Sequence, residues 1–110
     1  MKKKSDINFS VQVDENHVPE EITWKASDSD KQNPSKSKAV MLAIWDEEEN
    51  NTLRIDLWTK NMLVDEMKKF SCQNIITMAD AFERSTGEKE IANEMRAFGK
   101  EIAIKLGVLQ

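Results

Sequence analysis

Apolar residues recur at every second position in the first half of this chain and at every third or fourth position after Thr59. That change of period constrains the fold more than any other feature, because a period of two belongs to strands and one of 3.6 to helices. Over residues 6–13 the alternation is strict, with Ile7, Phe9, Val11 and Val13 on one side and Asp6, Asn8, Ser10 and Gln12 on the other. Such a segment makes a half-buried strand. A polar turn ends at Pro19, and Ile22, Trp24 and Ala26 alternate with Thr23 and Lys25 in a second, shorter strand. Residues 39–45 are apolar throughout, and Leu53, Ile55 and Leu57 alternate with Arg54, Asp56 and Trp58 in a fourth strand. The polar link between these two is short enough for a hairpin, with Asn50 or Asn51 available for a left-handed turn position.

After Thr59 a stripe of Val64, Met67, Phe70, Ile75, Met78 and Phe82, widened by Cys72, Ile76 and Ala79, predicts a long helix that Gly87 stops. A second helix carries Ile91, Met95, Phe98, Ile102 and Leu106, beside a line of small residues, Ala92, Gly99 and Ala103. Small residues on a helix surface allow a neighbouring helix to approach closely. Four strands followed by two helices predict an α+β fold, a four-stranded antiparallel sheet with both C-terminal helices packed on one face. At 110 residues the chain is one domain, 1–110. Residues 27–38, rich in Ser, Asp, Lys, Asn and Pro34, read as a mobile loop within it, since neither flank could fold alone.

Composition narrows the function classes. Hydrophobic residues at 39% and charged residues at 33% fit a soluble globular protein. No apolar run approaches the roughly 20 residues of a membrane helix, so no integral membrane segment is expected. The start, Met-Lys-Lys-Lys-Ser-Asp, has the charged head of a signal peptide without its apolar stretch. With a single cysteine, Cys72, an intrachain disulfide is impossible and the cytoplasm is the simplest compartment. A net charge of −4, with the basic residues Lys2, Lys3 and Lys4 clustered only at a terminus, speaks against nucleic-acid binding.

The chemistry of catalysis is missing as well. The one histidine, His17, sits in a polar turn and reads as a surface loop residue, and Cys72 reads as a packed, inert thiol. His/Cys clusters of metal-binding spacing and phosphate-cradling glycine loops are absent, so no cofactor, metal or catalytic residue is expected. The adjacent glutamates 47–49 lack the alternating oxygen spacing of a calcium loop. Arg54 and Asp56 share a strand face, where a cross-strand charge pair is the plain account.

The informative anomaly is apolar surplus. If Val40, Leu42 and Ile44 face the helices, then Met41, Ala43 and Trp45 point to the other side of the sheet, and Trp58 joins them. A clustered apolar patch outside the core marks a binding surface. Met41, Trp45, Arg54, Asp56 and Trp58 are therefore the candidate partner-binding residues, for another protein or for a second copy of the chain. A loop folded over the tryptophans is the competing account.

Residues 51–60, Asn-Thr-Leu-Arg-Ile-Asp-Leu-Trp-Thr-Lys, followed by Val64-Asp65-Glu66-Met67-Lys68-Lys69-Phe70, resemble the gliding-motility-associated GldC family. The opening Lys-Lys-Ser, Val13-Asp14-Glu15-Asn16, Val18-Pro19-Glu20 and Ile22-Thr23-Trp24 agree with it, while the second helix matches in pattern only. The family often has proline where this chain has Leu63, a difference confined to how the first helix starts. The resemblance implies a small cytoplasmic accessory protein of gliding motility in Bacteroidota, a process tied to type IX secretion, with no enzymatic activity and no site residues to transfer. A second expectation comes from topology: four antiparallel strands then two helices is similar to the SecB-type export chaperone, which holds unfolded clients.

Overall fold

The computed structural model describes residues 3–28 and 32–108. Five strands, β1 (Ile7–Val13), β2 (Pro19–Ala26), β3 (Ser35–Ser37), β4 (Ala39–Asp46) and β5 (Asn51–Trp58), precede two helices, α1 (Val64–Thr86) and α2 (Lys89–Leu106). The chain is α+β and divides at Met62/Leu63 into two compact units.

In the first unit the expected single four-stranded sheet is replaced by two antiparallel sheets, one of order β1-β2-β3 and one of β4-β5. The difference lies in the pairing. The strand expected over 39–45 pairs with β5 alone, as Ala39–Asp46, and a short unexpected strand before it, Ser35–Ser37, pairs with β2. β2 pairs with the short strand only as far as Ile22, opposite Ser37, and beyond that point the chain turns to β5. The carbonyl of Lys38 instead accepts the N–H of Thr59 (2.8 Å), and the N–H of Lys60 donates to the Pro19 carbonyl (3.1 Å). Ser35–Ser37 lie within the stretch expected to be a loop. β2 is also longer than its alternation implies, reaching back to Pro19.

The β1–β2 register sets Phe9 opposite Trp24 and Val11 opposite Ile22, with a shift between Gln12 and Val13. Directly opposed residues share a face, so Ile7, Phe9 and Val11 lie with Ala26, Trp24 and Ile22, while Asn8 and Ser10 lie with Lys25 and Thr23 on the reverse. Ile22, on the central strand, is the largest fully buried side chain among the described residues, at 0% exposure.

The β4–β5 hairpin turns through Asn50, whose φ of 51° is the left-handed conformation expected at Asn50 or Asn51. Asp46 holds the turn, accepting the N–H of Glu49 on its carboxylate (2.7 Å) and that of Asn50 on its carbonyl (2.9 Å).

The second unit is a helical hairpin. The Leu63 N–H, one of the donors a helix start leaves unpaired, is satisfied by the Glu66 carboxylate at 2.9 Å. Gly87, at φ 77°, closes α1 in the left-handed conformation. The seam runs through small side chains, with Cys72 and Ala79 of α1 and Ala92, Gly99 and Ala103 of α2 all buried. At its rim the Arg96 guanidinium reaches across to Asp80 (2.8 Å) and Glu83 (2.6 Å) and also bonds Asn93 (2.8 Å). The two carboxylates raise the guanidinium's pKa above its ordinary value, so the clamp stays charged.

Candidate functional site

The hairpin register decides what the five candidate residues can do together. Met41 stands opposite Asp56, Ala43 opposite Arg54, Trp45 opposite Thr52 and Ala39 opposite Trp58. All five therefore share one face of the hairpin, as the alternation implies. Trp45 sits at the turn end and Trp58 at the base, six ladder positions apart. At about 3.4 Å per residue that is roughly 20 Å, so the tryptophans do not form one cluster. They are 66% and 55% exposed.

Between them lies a salt bridge. Arg54 Nε donates to Asp56 Oδ2 (3.1 Å) and Nη2 to Oδ1 (2.9 Å), a bidentate pair along one strand rather than across two. Residues i and i+2 of a strand point the same way, which brings the two side chains together without any help from β4. The carboxylate raises the Arg54 pKa, through the hydrogen bond first and charge second. The face thus carries a neutralised planar polar group between two aromatic ends. On the reverse face Val40, Leu42 and Ile44 oppose Leu57, Ile55 and Leu53, and about half of Ile44, Leu53 and Ile55 is exposed.

Sequence reasoning missed a neighbour of Trp58. A shallow cleft of about 260 Å³ is lined by His17, Val18, Pro19, Asp56, Leu57 and Trp58. The β1–β2 turn forms one wall of it. Asp14 builds that turn by accepting the N–H groups of Asn16 (2.8 Å) and Val18 (3.0 Å) on one carboxylate oxygen, and His17 takes a φ of 62°. The other oxygen receives Lys60 Nζ at 2.5 Å, which ties the turn to the segment just after β5. The Asp14–Lys60 ion pair and the bond from the Lys60 N–H to the Pro19 carbonyl bring His17 beside Trp58, and no local pattern announces either. His17 remains an exposed turn residue, as expected.

Lys60, through its hydrogen bond, and the Val18 N–H hold the Asp14 carboxyl down at about 2, from an ordinary 3.8. A depressed carboxyl pKa stabilises the fold above the unfolded-state value, and that contribution is lost as pH falls from about 4 through about 2. Asp14→Asn is therefore expected to melt below the wild type at pH 7, with the gap closing as the pH drops through that window. Thermal melts between pH 7 and pH 2 check this, and a gap independent of pH would contradict it.

Cys72 is buried, as expected, in the helical unit beside a groove of about 220 Å³ lined by residues that include Lys69, Ile76 and Lys100. Among the described residues no group of three or more His, Cys, Asp or Glu side chains could hold a metal ion. No described helix is long and apolar enough to cross a membrane.

A family model of gliding motility-associated GldC-like proteins matches residues 19–108. The chain belongs to the GldC-like family. The match runs from β2 through α2 and takes in all five candidate residues. No curated protein matches the chain, and no solved structure does.

Proposed function

We propose that this GldC-like chain serves gliding motility as a non-catalytic, cytoplasmic accessory protein that docks a protein partner on the Met41, Trp45, Arg54, Asp56 and Trp58 face of the β4–β5 hairpin. The observation that carries the reading is the exposure of Trp45 and Trp58 on one face with the Arg54–Asp56 pair between them. An aromatic side chain removes about 150–250 Å² from water when buried, and Trp and Arg are the residues that most often dominate binding energy. A fitting partner offers two apolar pockets about 20 Å apart, with hydrogen-bonding groups between them for the edges of the ion pair.

The test replaces Trp45 and Trp58 by glutamate, singly and together, and captures partners from lysate of a gliding bacterium. Both residues are exposed strand positions, so circular dichroism and melting temperature should change little. A partner held by the wild type should fall at least tenfold in recovery with the double variant. Equal recovery by the wild type and a folded double variant would sink the reading. A SecB-type holdase would instead suppress aggregation of several unrelated unfolded clients, an activity that docking on this face does not supply.

A further inference from the structure

We infer that β1 is a self-pairing edge, through which two copies of the chain join their three-stranded sheets into one six-stranded sheet of order β3-β2-β1-β1-β2-β3. β1 is the terminal strand of its sheet, and among the described residues no strand pairs with its outer edge. The direction of its backbone groups follows from its first contacts with β2. The Ser27 N–H donates to the Asp6 carbonyl and the Asp6 N–H to Ser27 Oγ, both at 2.9 Å, so Asp6 faces β2. Antiparallel ladders alternate, which turns Asn8 and Ser10 toward β2 and leaves the N–H and C=O of Ile7, Phe9 and Val11 pointing outward. Natural sheets blunt such edges with charge, proline or an early bulge. β1 contains no charged residue and no proline, and the one irregularity in its pairing, after Gln12, places the extra residue, Glu20, on β2. Its apolar side chains are also uncovered, with Ile7 at 65%, Phe9 at 40%, Val11 at 36% and Val13 at 43% exposure.

Charge selects a second copy of this chain as the occupant, and also selects the register. A two-fold axis through Phe9 pairs Phe9 with itself, Ile7 with Val11 and Asn8 with Ser10. Apolar then meets apolar on one face and polar meets polar on the other. The outward-facing Ile7, Phe9 and Val11 all find ladder partners in this register, and Val13, outward as well, falls opposite Ser5 beyond the strand. Beyond the strand, Lys3 and Lys4 of each copy lie toward the end at which the other carries Asp14, already paired with Lys60, and the exposed Glu15, so a basic end meets an acidic end on both sides. Moving the axis to Ser10 would set Asp6 against Asp14, like against like. The symmetric pairing closes on itself and leaves no strand free to propagate at β1.

Light scattering of the intact chain should give twice its 12.7 kDa mass. Phe9→Lys places two ammonium groups across the axis, and Phe9→Pro removes an N–H that β2 does not use. Both variants should return the mass to that of one chain. Register is read in a Cys72→Ser background with Asn8→Cys and Ser10→Cys. Mixing the two single-cysteine proteins under oxidation should yield a disulfide-linked dimer, while neither alone does. A wild type that stays monomeric at high micromolar concentration would overturn the proposal, as would a folded Phe9→Lys variant that stays dimeric. Crosslinking of Ser10→Cys alone would overturn the Phe9-centred register. The Trp45→Glu, Trp58→Glu double variant should stay dimeric, and a dimer it abolished would move self-association to the hairpin and away from β1.

Discussion

Ile22→Ala is expected to cost about 3 kcal/mol of folding stability, most of it from the lost burial of three carbons and the rest from the cavity the truncation leaves. Ile22 has no exposed surface, and its strand lies between β1 and β3, where Val11 and Ser37 flank it in the ladder. Hydrogen-bonded neighbours on both sides restrict how far the backbone can collapse into the vacated space. A domain of this size is stable by roughly 5–15 kcal/mol, so the loss is a large share of the total. It should lower the midpoint of urea unfolding and leave the slope unchanged. Ile22→Val, which removes one methyl group, should cost about 1 kcal/mol. Trp24 sits two residues away on the same face but is 38% exposed, so its truncation removes partly solvated surface and should cost less. An Ile22→Ala loss below about 1 kcal/mol would show that the site collapses freely.

Gly99→Val is expected to destabilise by about 3 kcal/mol, through overpacking in the helical unit. A Cβ at residue 99 would lie 2.7 Å from Ile76 Cγ1 and 3.3 Å from Ile75 Cγ2, well inside van der Waals contact. The neighbours are isoleucines on the facing helix, and their branched Cβ atoms leave few rotamers into which to retreat. Gly99→Ala sets two effects against each other. Alanine gains about 1 kcal/mol of helix propensity over glycine, whereas forcing α1 and α2 apart costs about 1–3 kcal/mol. The clash distance decides for a net loss of about 1 kcal/mol. Combining Gly99→Ala with Ile76→Ala removes the obstructing atom, so the double variant should be more stable than the sum of the single changes predicts. Strict additivity in that cycle would contradict direct contact between the two positions.

These expectations rest on features of very different visibility in the sequence. The line Ala92, Gly99 and Ala103 announces close helix approach, because small residues at helical spacing have few other reasons to align. The structure adds the partner, Ile76. The common face of Met41, Trp45, Arg54, Asp56 and Trp58 follows from parity once the hairpin is recognised. The roughly 20 Å between the tryptophans follows only from register. The Arg54–Asp56 pairing illustrates the same division, since the i, i+2 spacing places both groups on one side but a cross-strand partner is equally compatible with it. The short strand that precedes Lys38 had no local signal. Residues 35–37 are polar and read as part of a loop, and they become a strand because the edge of β2 offers them a ladder.

The sequence by itself determined the kind and order of every element but β3, a left-handed turn at Asn50 or Asn51 and another at Gly87, and membership of the GldC-like family. Each of these depends on side-chain periodicity or on one residue's backbone preference, which act over a few neighbouring positions. Only the tertiary structure decided which strands share a sheet, that Ile22 is the largest fully buried side chain among the described residues, and that the turn holding His17 lies beside Trp58. Those outcomes turn on competition between backbone groups far apart in the chain. The Thr59 N–H takes the Lys38 carbonyl, the Lys60 N–H takes that of Pro19, and the Lys60 ammonium reaches back to Asp14. Spacing along a single strand carries no record of who wins it.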